Sequence, residues 1–209
     1  MWGPLIREAS FAAIDFESAG VTRGGTDAPV QIGLAVMQEA TIQTEWSFRS
    51  FLHSEQKIVW SAQKVHGITT ADLAEAPRLL SLWPRLQATL RGRTVVAHGA
   101  GTEKRFLRAF PLHGFAPWVD TLAVAQAAFP DERDYSLQAL SERLGVVESI
   151  REHCPQGTFH DALFDAVASL LVLAEIIQRA ALQDAPLDAL VHPQRSAYFA
   201  RRSRARRAD

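Results

Sequence analysis

Two acids interrupt an otherwise apolar run, Phe11-Ala-Ala-Ile-Asp-Phe-Glu-Ser18, and no other feature restricts the fold of this chain as strongly. Ala13 and Ile14 suit a buried strand, and side chains at i and i+2 of a strand project from one face. Asp15 and Glu17 would therefore converge from a strand that the rest of the molecule should cover. Like charges held that close repel, and desolvation adds to the cost, so a positive group is expected between them. A divalent cation is the simplest candidate. The plain alternative is a surface strand whose acids face water.

The first third of the chain reads as strands. Residues 11–17 are followed by a turn from Gly20 to Asp27, with Gly24-Gly25 as its strongest breaker. Val30 to Met37 and Ile42 to Leu52 supply two more strands, and the short connections predict an antiparallel meander. From Ser61 the periodicity turns helical. Leu79, Leu82, Trp83, Leu86 and Leu90 follow an amphipathic spacing, which assigns Trp83 to the core. Thr94 to Ala97 is a short buried strand, and Gly99 to Gly101 opens another helix. Leu122–Ala128 and Leu137–Leu144 are predicted helices, the second capped by Ser136. The last, Asp161 to Arg179, is apolar on nearly every side and so belongs in the body. Strands first, then alternating helices and strands, give one α/β domain with a mixed sheet covered by helices.

A chain of 209 residues with 47% apolar and 22% charged content can bury one sizeable core. No apolar stretch is long enough to cross a bilayer, and the first residues lack the plan of a signal peptide. The single Cys154 excludes an internal disulfide and a cysteine-based zinc site, so a reducing cytoplasm is the expected location. The net charge of −1 conceals an asymmetry. Residues 195–209 carry six arginines and one acid, a balance of +5, which leaves −6 on the remainder. A basic tail on an acidic body suits a polyanion at one end and metal at the other; the alternative is a solvated, disordered end.

Two later stretches place acids where apolar residues dominate. In Val95-Val96-Ala97-His98-Gly99-Ala100-Gly101-Thr102-Glu103, the acid shares a helical face with Phe106, Leu107 and Phe110, with Thr102 as a cap. In His160-Asp161-Ala162-Leu163-Phe164-Asp165, Asp165 falls inside the most apolar helix, where an unpaired carboxylate is costly. His160 lies off the stripe of Asp165 and belongs in the loop before that helix, which Gly157 would loosen. Asp161 is explained as an acid at a helix N-terminus.

Taken in order, Asp15-x-Glu17, His98-Gly-Ala-Gly-Thr-Glu103, Tyr135-Ser-Leu-Gln-Ala-Leu-Ser-Glu-Arg-Leu-Gly145 and His160-x4-Asp165 resemble the DEDDh 3′–5′ exonucleases. These are the DnaQ-like, or RNase T-like, nucleases. Val65-His66-Gly67-Ile68-Thr69 and Val119-Asp120-Thr121-Leu122 resemble further stretches of that family. The similarity spans roughly residues 10–178. One departure stands out. The family's second motif usually reads His-Asn-Ala-x-Phe-Asp, and here Gly99, Thr102 and Glu103 replace its Asn, Phe and final Asp.

The resemblance implies a ribonuclease H-like fold with a five-stranded mixed sheet over residues 1–180, followed by an Arg-rich extension over 181–209. It implies phosphodiester hydrolysis from a 3′ end with two Mg²⁺ or Mn²⁺ ions held by Asp15, Glu17, Glu103 and Asp165, and His160 as general base. Phe16, through its backbone, and Ser18 would meet the terminal nucleotide. The expected partner is the 3′ end of single-stranded DNA or RNA, with no membrane. A homodimer and a polymerase or repair partner are further expectations. The competing readings are an end-binding module that has lost turnover and a phosphohydrolase acting on small nucleotides.

Overall fold

A computed structural model describes residues 4–21 and 26–205. The sheet begins with β1 (Phe11–Ser18), β2 (Pro29–Gln38), β3 (Thr41–Ile42) and β4 (Phe48–Phe51). It is completed by β5 (Thr94–Ala97) and β6 (Trp118–Asp120). β1 pairs antiparallel with β2 on one side and parallel with β5 on the other, and β6 extends the parallel edge. The sheet thus has six strands where five were expected. β3 and β4 lie end to end against β2, so it is five strands wide. The predicted single strand from Ile42 to Leu52 is broken by a 3-10 turn at Thr44–Trp46. This break separates the two short edge strands. Gly24-Gly25 of the β1–β2 turn fall outside the described residues.

Helices cover both faces. On one face Ala12, Ile14, Phe16, Ile32, Leu34 and Val36 pack under α2 (Trp83–Leu90) and α3 (Gly101–Phe106). On the other, Phe11, Ala13, Ala35, Val96 and Val119 pack under α7 (Ala162–Arg179). Strand alternation therefore decides that Asp15 and Glu17 share the α7 face, whereas Phe16 faces away. The apolar run from Leu79 does not form one helix. A 3-10 turn at Leu79–Leu82 precedes α2, and Pro84, which has no N–H to donate, is accommodated in the first turn of α2. Trp83 is half-buried against this core, stacked on Phe110 at 4.9 Å.

The remaining helices are α1 (Trp60–His66), α4 (Thr121–Ala128), α5 (Leu137–Leu144), α6 (Val147–His153), α8 (Asp188–Val191) and α9 (Arg195–Ala205). Ser136 caps α5 by accepting from the Ala139 N–H. Up to residue 205 the basic tail is helical, not disordered. Buried Tyr198 anchors α9, its hydroxyl donating to the Ala189 carbonyl at 3.0 Å. Arg206 and Arg207 lie outside the described residues. Among the described residues no helix is long and apolar enough to cross a membrane.

Candidate active site

The C-terminal end of β1 delivers the acid pair, and β2 determines what can approach it. Asp15 is registered against Gly33, and Glu17 against Gln31. A Cβ on Gly33 would fall 2.0 Å from the Ala162 carbonyl oxygen, so glycine alone lets the start of α7 settle on the sheet at this point. Buried Gln31 accepts from the Ala162 N–H at 2.7 Å. Asp161 caps α7 by accepting from the Leu163 and Phe164 N–H groups, and its other oxygen binds Arg49 at 2.6 Å. These contacts fix the first turn of α7, and Asp165 projects from that turn toward the acid pair.

His160 takes a left-handed backbone conformation, φ +68°, uncommon for a residue with a side chain. It is held there in part because its N–H donates to Asp165 Oδ2 at 3.0 Å. One ligand atom each from Glu17, His160 and Asp165 lie within 4.8 Å of one another. The imidazole itself remains exposed. Gly157 does not loosen this segment as expected. A Cβ there would meet Phe164 at 2.9 Å, so the glycine serves close packing.

Glu103 sits in the first turn of α3, just after the β5–α3 connection, and is 4% exposed. That connection is clamped by Asp120, whose Oδ1 accepts from Gly99 N–H (2.9 Å) and Leu122 N–H (3.0 Å), and whose Oδ2 accepts from Ala100 N–H (3.1 Å). Gly99 meets the turn's need for positive φ, at +76°. His98 bonds through Nδ1 to the Thr121 hydroxyl and through Nε2 to the Tyr135 carbonyl. Its ring is thus a tie between loops, and burial lowers its pKa. The N-cap of α3 is Ala100, not Thr102, which lies inside the helix.

The electrostatics of the cluster follow from crowding. Burial pushes the Glu17 carboxyl up to about 8, with the charges of Asp165, Asp161 and Glu103 adding to it. Burial likewise raises Glu103 to about 7, and Asp165 to about 7 against the opposing bond from His160. Asp15 is held well above the ordinary carboxylate range by desolvation first, then by Asp165, Glu103 and Glu17. Among the described residues, Glu103 Oε2 and Asp165 Oδ1 are buried oxygens without a hydrogen-bond partner. Buried orphans of this kind are costly. Hard divalent cations take oxygen ligands, so the donor set and its unsatisfied atoms fit such a cation.

A family model described as exonuclease matches residues 12–173. The chain belongs to that RNase_T exonuclease family. It is 29% identical over 164 residues to a DNA polymerase III subunit epsilon-like protein of Rhodobacter capsulatus, covering 77% of this chain and 22% of that protein. It is 28% identical over 177 residues to a PolC-type DNA polymerase III of Thermotoga petrophila, covering 81% of this chain and 12% of the relative. The chain thus spans about a fifth or less of these relatives. Among solved structures it is similar to exonuclease X in complex with 5′ overhanging duplex DNA. That match has a TM-score of 0.68 and 21% identity, covering 87% of this chain and 99% of that one. It is also similar to the nuclease domain of 3′hExo, a DEDDh family member bound to rAMP. There the TM-score is 0.63 with 15% identity, and the coverage is 82% of this chain and 92% of that one. The mixed sheet flanked by helices is the ribonuclease H-like fold of these exonucleases.

Phe16 is 6% exposed and packs edge-on against Phe106 at 5.4 Å, so its side chain is core. The Ser18 carbonyl is engaged by His66 Nε2 at 3.1 Å. His66 Nδ1 accepts from the Ile68 N–H, and burial lowers its pKa. Sequence reasoning passed over Gln31, Arg49 and Asp120 as positioning residues. Gln31 carried one signal, a polar residue inside the apolar run Val30-Gln31-Ile32.

Proposed function

We propose that this protein is a metal-dependent 3′–5′ exonuclease that releases 5′-mononucleotides from DNA or RNA. The observation that carries the reading is the pair of buried, unpartnered carboxylate oxygens on Glu103 and Asp165, in a cluster with Asp15 and Glu17. We assign Asp15, Glu17, Glu103 and Asp165 as the side chains that would hold two Mg²⁺ or Mn²⁺ ions. Such a pair, when bound, supplies charge stabilisation at both the attacking and the leaving oxygen of an in-line displacement. His160 takes the proton from the attacking water, its loop held in register by the bond from its N–H to Asp165. Water oxygen bonds to phosphorus as the bond to the 3′ oxygen of the preceding nucleotide breaks, and that oxygen leaves with a proton as the new 3′ end. The backbone of Phe16 and Ser18 borders the terminal nucleotide, and Asp120, Gln31 and Arg49 position the acids without touching it.

Residues 1–180 form the catalytic unit in this reading, and 181–209 an extension that Tyr198 anchors. The natural partner is a nucleic-acid 3′ end, and the polymerase-related relatives favour service beside a polymerase. Incubation of oligonucleotides labelled at either end, with Mg²⁺, Mn²⁺ or EDTA, tests the assignment. Metal-dependent laddering from the 3′ end is expected, and Asp15→Asn abolishes it while the circular dichroism spectrum is kept. Binding without shortening would leave an end-binding module. Hydrolysis of free nucleotides alone would leave a small-molecule phosphohydrolase.

A further inference from the structure

Helix α1 is tied to the rim of the carboxylate site by its inner face. Val59 N–H donates to the Ala19 carbonyl at 2.8 Å, His66 bonds to Ser18, and Gly20 lies so close that a Cβ would meet Val59 at 2.5 Å and Ala62 at 3.2 Å. Its outer face is unusual. Trp60, on that face, is 70% exposed. Lys64, one turn beyond Trp60, places its Nζ 4.0 Å from the centre of the indole. An exposed indole beside a cation matches a flat base joined to a phosphate: bases stack on aromatic faces whatever their identity, and lysine meets the backbone.

We propose that Trp60 and Lys64 form a platform for the single strand upstream of the 3′-terminal nucleotide, Trp60 stacking on a base and Lys64 meeting its phosphate. The inference rests on the exonuclease reading and adds to it a preference for substrate length. Trp60 precedes His66 by six residues, about 9 Å of helix axis, so a strand seated at Ser18 must run some way along α1 before reaching the indole. Trp60 and Lys64 are positioning residues, since neither lies in the carboxylate cluster.

Cleavage of thymidine oligomers of two, four and eight nucleotides by the full chain, with KM and kcat measured separately, tests this. The wild type should show KM falling with length. Trp60→Ala should raise KM for the octamer about tenfold, the low end of what one base–aromatic stack is worth, with kcat changing less than twofold. Trp60→Phe should recover most of that loss. Lys64→Gln should lower the slope of log KM against log salt by about one. Wild-type cleavage of the octamer with an unchanged KM in Trp60→Ala overturns the platform and leaves the exonuclease standing. No shortening of any oligomer by the wild type overturns both. A wild-type dimer in sedimentation that Trp60→Ala dissociates, without a change in KM, reassigns the face to self-association and overturns the platform.

Discussion

Replacing Glu103 by Gln should make the metal-free protein's stability less dependent on pH, because Glu103 is the most buried acid of the site at 4% exposure. Its carboxyl moves from 4.5 to about 7 on folding, with burial as the leading cause. The folded state therefore binds the proton more tightly than the unfolded chain, and stability must fall as pH rises through that window. Below about 4.5 both states are protonated and nothing is lost; above about 7 both are ionised and the loss is complete. The displacement corresponds to about 3 kcal/mol, most of which accrues between pH 4.5 and pH 8. Glutamine does not titrate, although its amide carries a fixed cost in a site with no partner for it. The informative quantity is thus the change with pH in the difference between the two proteins, from which that fixed cost drops out. For a domain of this size about 3 kcal/mol is roughly 6–12 °C in Tm. Melting curves of wild type and Glu103→Gln in EDTA at pH 4.5 and pH 8 should differ by that much in their pH dependence. Millimolar Mn²⁺ should remove most of the wild-type slope, since ligation replaces the missing counter-charge. Parallel curves in EDTA would mean that the carboxylate is solvated, and the argument from its orphaned oxygen would fail.

Two more substitutions probe the geometry around the cluster. His160→Ala should lower kcat about 10²–10⁴-fold while leaving Mn²⁺ affinity by calorimetry within about threefold; loss of the metal instead would make the imidazole a ligand rather than a base. Gly33→Ala brings a methyl group against the Ala162 carbonyl; overpacking there should cost about 3 kcal/mol and, by displacing Asp165, lower kcat at least about 10²-fold. A Gly33→Ala protein that melts and turns over like the wild type would show that α7 is free to shift.

The acids were legible in the sequence because each is an anomaly in its own surroundings: Asp15 and Glu17 in an apolar strand, Asp165 in an apolar helix. Their partners were not, because a clamp has no local signature. Asp120 looks like an ordinary helix cap, and its side chain does cap α4 through Leu122 N–H. Only the parallel pairing of β5 with β6, Ala97 opposite Asp120, brings the same carboxylate under Gly99 and Ala100. Gly157 shows the converse error. A glycine read along the chain suggests looseness, yet this one is set by an atom that arrives from elsewhere, the Phe164 side chain.

The basic tail misled for a related reason. Its charge left two readings open, a polyanion-binding end and a solvated one, and neither foresaw a helix. Folding is decided instead by one apolar contact, since Tyr198 fills a place against α4 and α8 and its hydroxyl finds a carbonyl, so the segment winds into a helix around that anchor. A truncation at residue 194 therefore removes core as well as charge, and weaker nucleic-acid binding after it would not isolate the arginines. Exchanging Arg195 and Arg201 for glutamine keeps Tyr198 seated and removes two charges. If those arginines meet phosphates, the slope of log Kd against log salt should fall by about one to two with Tm unchanged. An unaltered slope would confine the polyanion to the acidic cleft and the face of α1.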